Sequence, residues 1–317
     1  MRKIDYDRQY ALRDVIGEYI QTLGDLNPKV MVVNADLMGT CRNRSFVEKY
    51  SERAFNVGIA EQNMVSFAAG LAHEGFMPFA FSMAPFISMR ACEQCRTDVA
   101  YENLNVRLIA TYAGCSGGIS GVTHWSMEDC AIMGSIPNMV VLEPSDPFQA
   151  QQLLKETLSY DGPIYMRSSV EPVPRIYDDE SFEIGKATVV REGNDGAFIC
   201  SGVVVKYALL AAERIACQMN KQIRVVDMHT IKPIDRDAVV DAATTGYIVA
   251  AQDHGVIGGL GQSVALVLLE EGMAPKFKNI GIPNKFFAMA HATYLYHQFG
   301  YDTDGLYETM RTLISGR

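Results

Sequence analysis

Phe55-Asn-Val-Gly-Ile-Ala-Glu-Gln-Asn-Met64 sets one carboxylate, Glu61, among small and apolar residues. Met64, Val65, Phe67, Ala68, Ala69, Gly70 and Leu71 follow, a spacing that predicts a helix opened by Glu61 and running to about Glu74. Phe55 to Ile59 reads as the strand that feeds it. A glutamate in such surroundings is rarely buried without a partner. Two readings stand side by side. A buried carboxyl is driven toward the protonated form, which donates a hydrogen bond. An exposed one is an ordinary helix-start acid, favoured by the helix dipole.

Outward from this segment, short apolar strands alternate with longer amphipathic stretches. Val30–Asn34, Met77–Phe81 and Val106–Tyr112 read as strands, and about Tyr6–Leu23 and Phe86–Ala100 as helices. Val30–Asn34 ends at Ala35-Asp36-Leu37, before the polar loop Gly39-Thr-Cys-Arg-Asn-Arg-Ser45. Such alternation predicts an α/β fold built on parallel sheets, with ligands at the carboxyl ends of the strands. Glu61 and His124 both fall in segments that follow a strand. The stretch Val170-Glu-Pro-Val-Pro-Arg-Ile-Tyr-Asp-Asp-Glu180 is rich in proline and acid and reads as a linker. Strands at Ala197–Cys200, Ile223–Asp227 and Tyr247–Gln252 then alternate with helices at Val205–Met219, Arg236–Thr244 and Gln262–Glu271. The expected organisation is a domain over residues 1–170, a linker over 171–185 and a second α/β domain over 186–317.

At 317 residues and 48% hydrophobic composition, the chain is long enough to bury two cores. A net charge of −9, with 28 basic against 37 acidic residues and no basic tract, argues against nucleic-acid or anionic-membrane partners. No apolar run reaches spanning length, and Met1-Arg-Lys-Ile-Asp-Tyr-Asp-Arg8 lacks the apolar core of a signal peptide. A cytoplasmic location is expected. Seven cysteines suit a reducing compartment. Cys92 and Cys95 form a C-x-x-C inside a helix-patterned stretch with no second pair, so packed thiols are expected rather than a zinc or redox site. His229, His291 and His297 are scattered, and no metal ligand set is expected.

Asn56-Val-Gly-Ile-Ala-Glu-Gln-Asn63 resembles the cofactor-activating segment of transketolases and 1-deoxyxylulose-5-phosphate synthases. The likeness continues through Arg90-Ala-Cys-Glu-Gln-Cys-Arg96, Asn103-Leu-Asn-Val106, Gly121-Val-Thr-His124 and Pro144-Ser-Asp146. It runs on into Asp227-Met-His-Thr-Ile-Lys-Pro-Ile-Asp235 and His254-Gly-Val-Ile-Gly-Gly-Leu-Gly261, covering nearly the whole chain. The resemblance is to the C-terminal half of a transketolase, with a pyrimidine-binding domain followed by the transketolase C-terminal domain, made as a separate chain. The implied cofactor is thiamine diphosphate. Glu61 then takes the place of the acid that bonds the aminopyrimidine and favours its reactive tautomer. Phe86 takes the place of an aromatic ring stacked on that pyrimidine. Met83 stands where another aromatic is usual, and Phe81 is a candidate to compensate. Asp36 lies near the cofactor by the same resemblance, or is a turn or cap residue. His124 resembles the histidine that faces the substrate and helps to move protons.

Three departures bear on substrate. Ser120 stands four residues before His124 where an acid is usual, and Tyr112 twelve before it where a histidine is common. Glu143, in Glu143-Pro-Ser-Asp146, replaces the arginine that reads a sugar phosphate. A carboxylate there would repel phosphate, leaving Arg42, Arg44 or Arg167 as candidate anion ligands, so phosphorylated pentoses are expected to be poor substrates. The glycine-rich run at 254–261 lacks G-x-G-x-x-G spacing and is expected to be structural.

The family's Gly-Asp-Gly, which with a later asparagine holds Mg²⁺ and the diphosphate, is missing. The resemblance therefore implies an N-terminal partner subunit carrying the diphosphate-binding domain, in an α2β2 assembly, and an inactive chain when isolated. The implied reaction moves a two-carbon ketol unit from a ketose to an aldose. Alternatives are a 2-oxo acid dehydrogenase β-type subunit, a 1-deoxyxylulose-5-phosphate-synthase-like subunit, and a non-catalytic scaffold subunit.

Overall fold

The computed structural model describes residues 4–316, so residues 1–3 and 317 at the ends of the expected domains lie outside it. Two helix-covered sheets make an α/β fold. The first sheet has seven strands, in the order Thr230–Lys232, Val140–Leu142, Ile164–Ser168, Arg107–Thr111, Met77–Met83, Val30–Asn34, Ala54–Asn56. All pair in parallel except Thr230–Lys232, which runs antiparallel to Val140–Leu142. The second sheet has five, in the order Lys276–Ile282, Tyr247–Gly255, Ala197–Cys200, Arg224–Asp227, Thr188–Arg191, with Thr188–Arg191 antiparallel. Both sheets are thus mixed at an edge rather than wholly parallel. The strand Thr230–Lys232 carries the chain back to the first sheet after it has entered the second.

Central strands such as Val30–Asn34, Arg107–Thr111 and Ile164–Ser168 are buried along their whole length, as expected where helices cover both faces. Alternate residues feed opposite layers. Phe79 and Phe81 pack into one apolar cluster with Val32 and Ile109, while Ala80 joins the other with Val33 and Leu108. Each cluster also takes in residues of the second sheet, so the core is continuous across the two sheets.

The first helix is Leu12–Leu26, later than the pattern predicts, because Gln9–Tyr10 pairs antiparallel with Val173–Pro174 in the linker stretch. The predicted helix from Phe86 to Ala100 is broken into π turns at Phe86–Arg90 and Cys95–Ala100 around a short α turn. Cys92 is half-buried, Cys95 is buried, and both are free thiols. No helix of the described residues is long and apolar enough to cross a membrane.

Candidate active site

Glu61 is reached from the strand Ala54–Asn56 by a turn at Gly58, whose φ of +77° favours glycine. It opens the helix Glu61–His73 and yet is only 5% exposed. It is therefore a helix-start acid, but a buried one rather than an exposed one. Its single hydrogen-bond partner among the described residues is Arg90, whose Nη1 donates to Oε1 over 3.1 Å.

Arg90 belongs to the π turn that follows Met77–Met83. π turns are rare and concentrate at functional sites. Here the turn lays the Arg90 guanidinium over the half-buried Phe86 ring, 3.8 Å from its centroid. Phe86 in turn meets the His124 ring edge-on, with centroids 5.5 Å apart and planes at 64°. The His124 Nδ1 lies 2.9 Å from Thr123 Oγ1, which orients the ring. Glu61, Arg90, Phe86 and His124 form one contiguous chain at the carboxyl end of the first sheet.

The other expected residues border this chain at different depths. Met83 is buried at the end of its strand. Asp36 is exposed in a left-handed turn and exchanges two hydrogen bonds with Asn56, receiving one on Oδ1 and donating one from its backbone N–H. Ser120 is exposed in the short turn Gly118–Ser120. Tyr112 follows the strand Arg107–Thr111 with a φ of +63°, and its hydroxyl accepts from Arg13 Nη1 over 3.1 Å. A Cβ on Gly117 would sit 3.1 Å from the Tyr112 ring and 3.4 Å from the His124 carbonyl oxygen, so these two residues flank one narrow loop. Arg13 and Arg42 both pair with Asp14, two cations on one carboxylate.

Two site expectations fail, and a third goes with them. Phe81 is fully buried in the core on the face opposite Ala80, too deep to meet a cofactor ring. Arg167 is also fully buried and reaches no substrate. Its Nε and Nη1 bind Asp129 and Glu143 at 2.8 and 2.7 Å, and its Nη2 donates to the Asp253 carbonyl. Glu143, 2% exposed, accepts as well from Ser201 Oγ and Gln252 Nε2 of the second sheet. It faces no anion site, and its carboxylate is no bar to phosphate. The expected penalty on phosphorylated sugars loses its physical basis.

The residues suit one end of thiamine diphosphate. A buried carboxyl group with a single side-chain partner stands beside a half-buried aromatic ring, which suits a flat ring whose nitrogen pairs with an acid. The Gly-Asp-Gly that would grip a diphosphate is not in the sequence. The loop at 254–261 spends its donors internally. Leu260 N binds Gln252 Oε1 and Gly258 N binds Gln262 Oε1. Asp129, Cys130 and His254 converge in the core. Two of their ligand atoms are engaged, His254 Nε2 accepting from the Cys130 N–H and Asp129 Oδ2 from Tyr165 and Arg167, while Asp129 Oδ1 is buried with no hydrogen-bond partner among the described residues.

Sequence reading missed Arg90 and Arg13 as site residues. Arg90 stands four residues after Phe86, a spacing that flags a neighbour on a helix face. Arg13 meets Tyr112 across 99 residues and left no local signal.

Family models for the transketolase pyrimidine binding domain and the transketolase C-terminal domain match residues 8–174 and 185–306. A transketolase C-terminal section from Methanocaldococcus jannaschii is 38% identical over 93% of this chain and 94% of its own length. A 6-deoxy-6-sulfo-D-fructose transketolase subunit from Clostridium sp. is 37% identical over 92% of this chain and 91% of its own. A solved split-gene transketolase, an inactive β4 tetramer, superposes with a TM-score of 0.87 at 35% identity, covering 97% of this chain and 99% of that one.

Proposed function

Since this chain belongs to the transketolase family, we propose that it is the subunit of a two-chain transketolase that activates the pyrimidine end of thiamine diphosphate. The observation that carries this reading is Glu61, a buried acid at a helix start on the same surface as Phe86 and His124. When bound, thiamine diphosphate supplies the nucleophilic carbon and the electron sink for cleaving the carbon–carbon bond of a ketose. Glu61 would set its carboxyl group against a pyrimidine nitrogen. Phe86 presents an aromatic face to that ring. His124, half-buried at the mouth, gives and takes protons at substrate hydroxyls. Met83 and Asp36 close the slot from the ends of neighbouring strands.

One relative is named for a sugar that carries a sulfo group. In this chain Arg13, which bonds Tyr112, and Arg42 both pair with Asp14, leaving a net positive charge once Asp14 is counted. They are the proposed ligands for an anionic end of the sugar, with Tyr112 and Ser120 along its length.

In this reading a second subunit supplies the diphosphate site and holds Mg²⁺, in an α2β2 arrangement, in keeping with relatives that are named as transketolase subunits. Exposed apolar side chains close to the site residues in sequence support this: Ile59 is 78% exposed, and Met89, Ile119 and Val122 stand, respectively, next to Arg90, next to Ser120 and two residues before His124. Light scattering and thiamine diphosphate titration, on this chain alone and then mixed with a diphosphate-binding subunit, test the assembly. Tight, Mg²⁺-dependent thiamine diphosphate binding and ketol transfer are expected only in the mixture. Tight Mg²⁺-dependent binding by this chain alone would contradict the reading.

A further inference from the structure

In the free chain the space above Phe86 is already taken. The Arg90 guanidinium lies 3.8 Å from the ring centroid, at stacking distance, and its Nη1 donates to Glu61 Oε1 over 3.1 Å. A guanidinium is planar and carries its donors in a fixed fork, so it combines an aromatic contact with a bond to the acid. Those are the two contacts an aminopyrimidine would make. We propose that Arg90 is an internal ligand of the pyrimidine slot, which must swing out before the cofactor ring can enter. The inference rests on the reading of Glu61 and Phe86 as the pyrimidine site.

The geometry suits a displaceable plug. The Arg90 side chain is 51% exposed, so its charge has water to return to, whereas Glu61 stays buried with no other partner among the described residues. A half-exposed ion pair and a half-exposed cation–π contact are each weak. Together they hold the slot without locking it.

Isothermal titration of the full chain with thiamine, which has the pyrimidine but no diphosphate, tests this. Releasing the two weak contacts should let Arg90→Ala bind thiamine about ten-fold more tightly than wild type. Arg90→Gln, which keeps length and loses charge, should also gain, and it serves if the alanine variant misfolds. Adding Glu61→Gln or Phe86→Ala to Arg90→Ala should reverse the gain. Equal or weaker binding by both Arg90 variants overturns the plug. If Glu61→Gln and Phe86→Ala still weaken binding in that case, the site reading stands without it. If those two variants leave thiamine affinity unchanged in either background, the site reading fails and the plug with it.

Discussion

Arg167 separates two kinds of role for one charged side chain. Fully buried between Asp129 and Glu143, it is the one arginine or lysine paired with these two carboxylates among the described residues. Arg167→Met should therefore lower stability by about 3–5 kcal/mol, the usual effect of breaking a buried pair, measured by denaturant unfolding. A substrate ligand would instead change KM and leave stability alone. Arg13 should behave in that second way. Arg13→Gln should raise KM for an anionic ketose roughly ten- to a hundred-fold, the worth of one charge-assisted hydrogen bond, with little effect on an uncharged sugar. Equal KM changes for both sugars would remove Arg13 from the anion site. The surroundings of Glu61 were legible because its apolar neighbours follow it at helical spacing. Arg167 was not: its partners lie 38, 24 and 86 residues away, and sequence gives a charge without its mate. Phe81 was misread although two-residue alternation was available, since it shares the face of Phe79 rather than that of Ala80.

At the scale of elements, the loop from Gly114 to His124 depends on the second sheet. Asp253 accepts from the Cys115 N–H over 2.9 Å and from the hydroxyls of Tyr296 and Tyr301. Gly114 has a φ of +63°, and a Cβ there would lie 2.1 Å from the Asp253 carboxyl. Gly114→Ala should cost at least about 1–3 kcal/mol from backbone conformation alone, and it should also displace His124, lowering kcat. A variant with unchanged melting temperature and turnover would show that the loop is not held this way. The central strands could be read from sequence: Val30–Asn34 and Ala197–Cys200 stand where the apolar runs placed them. The π turns could not, since hydrophobic spacing does not distinguish a four-residue from a five-residue hydrogen-bond step. The late start of the first helix and the strand Thr230–Lys232 were equally hidden, because each is set by a partner strand far along the chain.

Across the whole molecule, buried carboxyls join the two halves. Asp227 accepts from Ser145, Gln149 and Tyr177, and burial pushes it up to about 7. Asp146 is pushed up to about 6 for the same reason. The native state thus binds protons that the unfolded chain releases near the ordinary carboxylate value. Their contribution to stability is full below about pH 4 and declines as pH rises toward 7. Asp227→Asn, which has no proton to lose, should gain on wild type as pH rises through that window, seen as diverging melting temperatures. A constant difference between the two would refute the linkage. Sequence order made the two-part organisation and the missing diphosphate motif visible, but not how closely the parts interlock. The central claim, that this chain activates thiamine diphosphate through Glu61, is tested most directly by Glu61→Gln in the assembled two-chain enzyme. Ketol transfer should fall by at least about 10²–10³-fold, as when one transition-state interaction is removed, while the two chains still assemble. Turnover near wild type in that assembled variant would contradict the account.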